Sequence, residues 1–214
     1  MRPSAAHNTS DKWITHYFPA PRFAGIPLRL EDEEPQGIDR WGPCKTYAGT
    51  SMCLINRDQW VMIDALVRPN DTVLEIGARY GTTSCRLARA TKNSGFVVAV
   101  DPATTTTQDL LRNRDRHRCN FAAVAGTVAS APMSMGPPSG YDQRTIRART
   151  TGASSPAVTN FAPREIELRL GSSFNVALID CEGCIESVIE QPELLSQVER
   201  TLYDRTSTTQ CRHN

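Results

Sequence analysis

The stretch Asp71-Thr-Val-Leu-Glu-Ile-Gly-Ala-Arg-Tyr-Gly-Thr-Thr-Ser-Cys-Arg86 decides how the rest of the chain reads. Val73, Leu74 and Ile76 form a short apolar run that stops at Gly77, the pattern of a buried parallel strand arriving at a sheet edge. Gly77 and Gly81 bracket a tight loop in which a side chain would obstruct the close approach of a ligand. Thr82 to Arg89 then reads as a helix whose free N–H groups face that loop, an arrangement suited to a nucleotide-like molecule. Glu75 stands in the strand two residues before the first glycine, where a carboxylate needs the sheet rim, a cation or hydrogen-bond donors.

Outward from this stretch, Phe96-Val-Val-Ala-Val100 is a second buried strand, and it ends on Asp101. An acid at that place can accept both hydroxyls of a ribose. On the other side, Asn56 has the character of an N-cap with Gln59 three residues on, and Trp60, Ile63 and Val67 recur at helical spacing until Pro69. Gln108 to Arg116 reads as a helix, and Phe121-Ala-Ala-Val124 as a third strand. Residues 130–163 are dominated by Ser, Thr, Pro, Gly and Ala without periodicity and read as a long flexible insertion. Glu165-Ile-Glu-Leu-Arg-Leu170 alternates, so strand and helical turn stay open. Phe174-Asn-Val-Ala-Leu-Ile179 is the next buried strand, running into Asp180-Cys-Glu-Gly-Cys-Ile-Glu186. Ser187 to Gln197 can be helical with a break at Pro192, and Glu199-Arg-Thr-Leu-Tyr203 reads as a fifth strand.

The glycine loop and the Ile179-Asp180-Cys181-Glu182-Gly183 run together resemble the motifs of FkbM-type class I S-adenosylmethionine-dependent methyltransferases. Arg79 stands where that family usually has Asn, and Cys181 and Cys184 stand where it has Val and Ala. The resemblance covers about residues 56–204. It implies a doubly wound α/β domain with a mainly parallel, Rossmann-like sheet ordered 3-2-1-4-5 and S-adenosylmethionine as cofactor. The implied activity is O-methylation of a sugar or other small-molecule hydroxyl. The cofactor residues it points to are Glu75, Gly77, Ala78, Gly81 and Asp101, with the adenine near Ala125 and Gly126. The family's sheet continues with a helix and two further strands, so the expectation is a chain shortened at its C-terminal end.

Asp180 and Glu182 would emerge at the carboxyl edge of the sheet beside the glycine loop. One of them could take a proton from an acceptor hydroxyl while the other orients substrate or cofactor. The pair could instead hold a divalent cation such as magnesium, or simply cap the following helix. A methyltransferase-like binding module without catalysis is the alternative function. A nicotinamide oxidoreductase ranks third, because its fingerprint needs a glycine where Arg79 stands.

Composition sets the outer limits. With 214 residues the chain fits one domain, residues 44–204, flanked by a loosely ordered, proline-rich extension over 1–43 and a polar tail over 205–214. The formal net charge of +1 gives no field to steer nucleic acid or an anionic membrane. Arg112, Arg114, Arg116, His117 and Arg118 make a local basic cluster, but Asp109 and Asp115 dilute it and no aromatics interleave, so a solvated helix face is the preferred reading. Neither an apolar span nor a signal-peptide pattern is present, and a cytoplasmic address is expected. The seven cysteines are odd in number and scattered, which reads as reduced thiols. Cys181 and Cys184 alone have motif spacing, open to a redox pair or half a zinc site, with small apolar side chains after a strand as the favoured reading.

Overall fold

The computed structural model describes residues 46–47, 50–51, 56–136, 145–147, 157–181 and 183–203. In chain order the elements are β1 (Thr46–Tyr47), β2 (Thr50–Ser51), α1 (Arg57–Leu66), β3 (Val73–Ile76), α2 (Thr82–Ala90), β4 (Val97–Asp101), α3 (Thr104–Arg116), β5 (Ala122–Ala125), β6 (Thr127–Val128), β7 (Met133–Met135), β8 (Thr145–Arg147), β9 (Asn160–Phe161), α4 (Pro163–Leu170), β10 (Val176–Ile179), α5 (Ile185–Ile189), α6 (Pro192–Gln197) and β11 (Arg200–Tyr203).

Five of these strands form one parallel sheet in the order β11-β10-β3-β4-β5. Numbered by their own sequence order, this is the 3-2-1-4-5 arrangement read from the opposite edge. Every residue of β3, β4 and β10 is buried, as a parallel sheet covered on both faces requires. Alternation along the strands sends Val73, Val97, Ala99, Val176 and Leu178 to one face, where Ile63 of α1, Leu87 of α2 and Leu110 of α3 meet them. Leu74, Ile76, Val98, Val100 and Ile179 point to the other face, against Ile166 of α4, Val188 of α5 and Leu194 of α6. The fold is therefore a doubly wound, three-layer α/β sheet.

Several local readings change. Asn56 precedes α1 but makes no capping bond with its side chain; the amide is diverted to Gln59 and Thr82 instead. Helix α3 begins at Thr104, four residues earlier than the sequence pattern gives. The Thr106 and Thr107 hydroxyls donate back to the Ala103 carbonyl at 2.9 and 3.1 Å, so these polar β-branched residues can open a helix. Residues 165–170 are helical: Pro163 starts α4, and Gly171, in the left-handed region at φ 76°, ends it.

Within 130–163, where the composition suggests one long loop, the chain forms short strands. β7 pairs antiparallel with β8, and β9 pairs with β6. Arg114 departs from the solvated basic face: it is 1% exposed, and Asp115 pairs with it at 2.8 Å. The cysteine reading is also corrected. Cys85 of α2 is bonded to Cys119 ahead of β5, and Cys181 to Cys184 in the turn after β10. Sequence spacing could not show the first pair, because its two partners lie 34 residues apart.

Candidate functional site

The carboxyl ends of β3, β4 and β10 converge, because Ile76 is in register with both Val100 and Ile179. The loop after β3 folds over this edge. The amides of Gly77 and Ala78 both donate to the Val100 carbonyl, at 2.8 and 3.1 Å, and Gly81 donates to Ala78 at 2.8 Å. The turn after β10 is tied to the same place by the Asp180 amide, which donates to the Ile76 carbonyl at 2.9 Å. These strands flank the point where the chain, after running outward through β4 and β5, returns to the other side of β3 as β10. Ligands of open α/β sheets bind at such a switch point.

The loop glycines owe their identity to protein neighbours. Gly77 has φ +99°, and a Cβ there would overlap the Asp180 carbonyl. Gly81 has φ +83°, and its Cβ would stand 2.7 Å from Leu110 Cδ1. At Gly77 the left-handed backbone and the turn after β10 leave no room for a side chain, and at Gly81 the left-handed backbone and Leu110 of α3 do the same. Arg79 takes the left-handed region at φ 48° without being glycine, and its guanidinium lies 5.4 Å from the Tyr80 ring centre.

Glu75 is fully buried. It accepts hydrogen bonds from the hydroxyls of Thr83 and Ser84, which the first turn of α2 carries over the end of β3. Burial pushes its carboxyl up to about 7; the two hydroxyls oppose the rise, and the nearby Asp180 and Asp101 carboxylates add to it.

Asp101, 6% exposed, is engaged by its own fold. Oδ2 accepts the Arg79 amide at 2.7 Å, while Oδ1 accepts the Ala103 amide at 2.9 Å and the Thr106 hydroxyl at 3.2 Å. Burial raises its pKa against the pull of those donors and of the Arg79 charge. Its position at the strand end suits a ribose contact, but three of the carboxylate's roughly four acceptor places are in use, leaving one on Oδ2.

Asp180 is half-buried, and Gln59 Nε2 donates to its Oδ2 at 2.8 Å. Asn56 Nδ2 donates to Gln59 Oε1 at 2.7 Å, and the Thr82 hydroxyl donates to Asn56 Oδ1 at 3.2 Å. A four-residue chain thereby links α2, α1 and the end of β10. The capping-box reading missed that Asn56 and Gln59 connect to Asp180. The available signal was a polar pair at i, i+3 continuing the helical stripe of Ile63 and Val67, and the structure buries it.

The sites of the other expected residues are mixed. Ala78 is buried in the loop, and Ala125 is half-buried at the end of β5. Gly126 is covered: its Cβ would lie 2.5 Å from both the Phe161 ring and the Thr159 carbonyl. Glu182 lies outside the described residues. Among the described residues no group of three or more His, Cys, Asp or Glu could hold a metal ion, and no helix is long and apolar enough to cross a membrane.

No protein-family model matches the chain, and no curated protein matches it. Solved structures with a related outline include the cofactor-bound Rv0187 from MTB, at TM-score 0.42 and 16% identity over 75% of this chain and 56% of that one. An rRNA methylase from Streptococcus thermophilus gives TM-score 0.43 and 9% identity, covering 72% of this chain and 74% of that one. A coclaurine N-methyltransferase bound to N-methylheliamine and SAH gives 0.39 and 13%, covering 82% and 42%. The chain spans little more than half the length of the first of these. The Rossmann-like class rests on the strand order, register and layering of the chain itself.

Proposed function

We propose that this protein is an S-adenosylmethionine-dependent methyltransferase acting on a small-molecule hydroxyl. The observation that carries this reading is the junction of the Gly77–Gly81 loop with Asp180 at the switch point of the sheet, with Asp101 at the end of the neighbouring strand. Three carboxylates, on Glu75, Asp101 and Asp180, gather at one edge, and Asp180 and Asp101 are near enough to raise the pKa of Glu75. The carboxylates of Asp101 and Asp180 at this edge suit a ligand bearing a sulfonium and an ammonium.

When bound, the cofactor would supply an activated methyl group whose sulfur is already a leaving group. The residues assigned to hold it are Gly77, Ala78 and Gly81 through the loop backbone, and Asp101 through its remaining acceptor place on the ribose. Asp180, held by Gln59, orients the acceptor hydroxyl and takes its proton as the new bond forms. Glu75 supports the start of α2 from inside and does not need to touch the cofactor.

The test is calorimetric titration of the folded protein with S-adenosylmethionine and with its demethylated product. Binding by the native chain, weakened by about 1–3 kcal/mol in Asp101→Ala, is expected. A folded, monodisperse native chain that binds neither molecule would overturn the reading.

A further inference from the structure

Two cysteine pairs are bonded in this fold, and their surroundings differ. Cys85 and Cys119 are 0% and 5% exposed within the core between α2 and β5, and their bond closes a long stretch of chain. Cys181 and Cys184 are three residues apart, with Cα atoms 5.6 Å from each other, in the turn that carries Asp180. Cys184 is fully buried, whereas Cys181 keeps 9% of its surface. A short Cys-x-x-Cys loop gains little from closure and can open without unfolding the chain.

The turn that holds this pair is pressed on the glycine loop. At Gly77 the space a Cβ would need is taken by the Asp180 carbonyl and carbon, with the Cys181 amide nitrogen 3.1 Å away. The Asp180 amide is bonded to the end of β3, and the Cys184 carbonyl accepts the Val188 amide in the first turn of α5, at 3.0 Å. The backbone on which Gly77 rests thus runs directly into Cys181.

We propose that Cys181 and Cys184 form a redox-active pair that exchanges with low-molecular-weight thiols and sets the packing of the Asp180 turn against the Gly77 loop. Cys181 is the entry point, because Cys184 offers no surface. An external thiolate attacks Cys181 Sγ, the Cys181–Cys184 bond breaks, and Cys184 leaves as a thiolate that takes up a proton. A second external thiolate then attacks the external sulfur of the mixed disulfide. Cys181 leaves as a thiolate and is protonated, and an external disulfide departs. The protein gains two electrons and two protons; two external thiols lose them. The reverse sequence closes the pair again. The consequence for cofactor affinity rests on the function proposed above; the exchange chemistry and the loop coupling do not.

The test uses the native chain equilibrated across glutathione buffers of graded thiol-to-disulfide ratio. Alkylation mass spectrometry reads each cysteine pair, and amide hydrogen exchange reads residues 77–81. The expected result is one two-electron transition at Cys181–Cys184, with Cys85–Cys119 still bonded throughout it, and faster exchange in the glycine loop on reduction. Cys181→Val with Cys184→Ala removes the pair while keeping apolar packing, and should hold the loop in one exchange pattern at every ratio. Affinity for S-adenosylmethionine should differ between the two redox states by about fivefold or more. A pair that shows no transition across the series, or a transition that leaves exchange at residues 77–81 unchanged, would overturn the proposal. Loop exchange that responds to redox in a protein with no affinity for S-adenosylmethionine in either state would support the switch and count against the cofactor reading alone.

Discussion

Gln59 Nε2 donates to Asp180 Oδ2 at 2.8 Å, joining the first turn of a helix to the end of a strand 121 residues further along. Because Asn56 donates to Gln59 Oε1, the Gln59 amide has one orientation in which both ends are satisfied. Gln59→Leu should therefore remove one hydrogen bond from Asn56 and one from Asp180 and cost about 1–3 kcal/mol in urea denaturation. Gln59→Glu sets a second carboxylate against Asp180, which raises the new carboxyl's pKa. Its stability deficit should grow between about pH 5 and pH 8, whereas that of Gln59→Leu stays level. A flat profile for Gln59→Glu would show that the contact does not form in solution.

Glu75 gives a prediction of its own. A carboxyl raised from 4.5 to about 7 by burial binds a proton more tightly folded than unfolded. Its contribution is fully present below the unfolded value and is lost as pH rises through the folded one, amounting to about 3 kcal/mol across that window. Asp101 shifts in the same direction and adds to the slope. Glu75→Gln keeps the shape and can still bond Thr83 and Ser84. Denaturation midpoints of this variant measured from about pH 4 to pH 8 should fall less steeply than those of the native chain; parallel slopes would remove Glu75 as the source.

Asp71 behaves in the opposite sense. Burial pushes its carboxyl up, but two bonds from the Arg200 guanidinium, at 2.6 and 2.9 Å, the Arg68 amide and Asn175 hold it below the usual carboxylate range. This bidentate pair pins β11 at the sheet edge to the start of β3. Arg200→Met leaves a carboxylate with 4% exposed side chain without its guanidinium, and should cost about 3–5 kcal/mol near neutral pH. The stabilisation is present above the unfolded value of 3.8 and disappears as pH falls through the lower folded value, so native and variant stabilities should converge in acid.

Gly77→Ala separates packing from ligand access. The added Cβ meets the Asp180 backbone at a φ of +99°, where no flexible side chain can yield. Loss of at least about 3 kcal/mol, or failure to fold, is expected with no ligand present. A variant as stable as the native chain would mean that the β10 turn does not rest on this glycine.

The Cys85–Cys119 bond closes a separation of 34 residues, for which loop-closure entropy gives about 4 kcal/mol. Cys85→Ala with Cys119→Ala should lower stability by an amount of that order, read against the native chain without reductant. Equal stabilities would indicate free thiols at both positions.

The sequence alone determined the strands of the central sheet. Val73 to Ile76, broken only by Glu75, Val97 to Val100 and Val176 to Ile179 are apolar runs short enough to be strands and too continuous to be half-exposed, so burial on two faces, and with it a parallel doubly wound sheet, is written in their composition. The acids at or near the strand ends, Glu75, Asp101 and Asp180, were legible for the same reason: a charge beside such a run has few places to go.

What only the tertiary structure decided is how those acids are satisfied. Thr83 and Ser84 serve Glu75 because a helix start happens to lie over a strand end, and Gln59 serves Asp180 across more than half the chain. Gly77 is fixed by the Asp180 carbonyl, Gly126 by Phe161, and Cys85 by Cys119. Local periodicity records which side of an element is apolar. It holds no record of which distant group fills a given space, and hydrogen bonds and close contacts of a few ångströms are set only when the layers have packed.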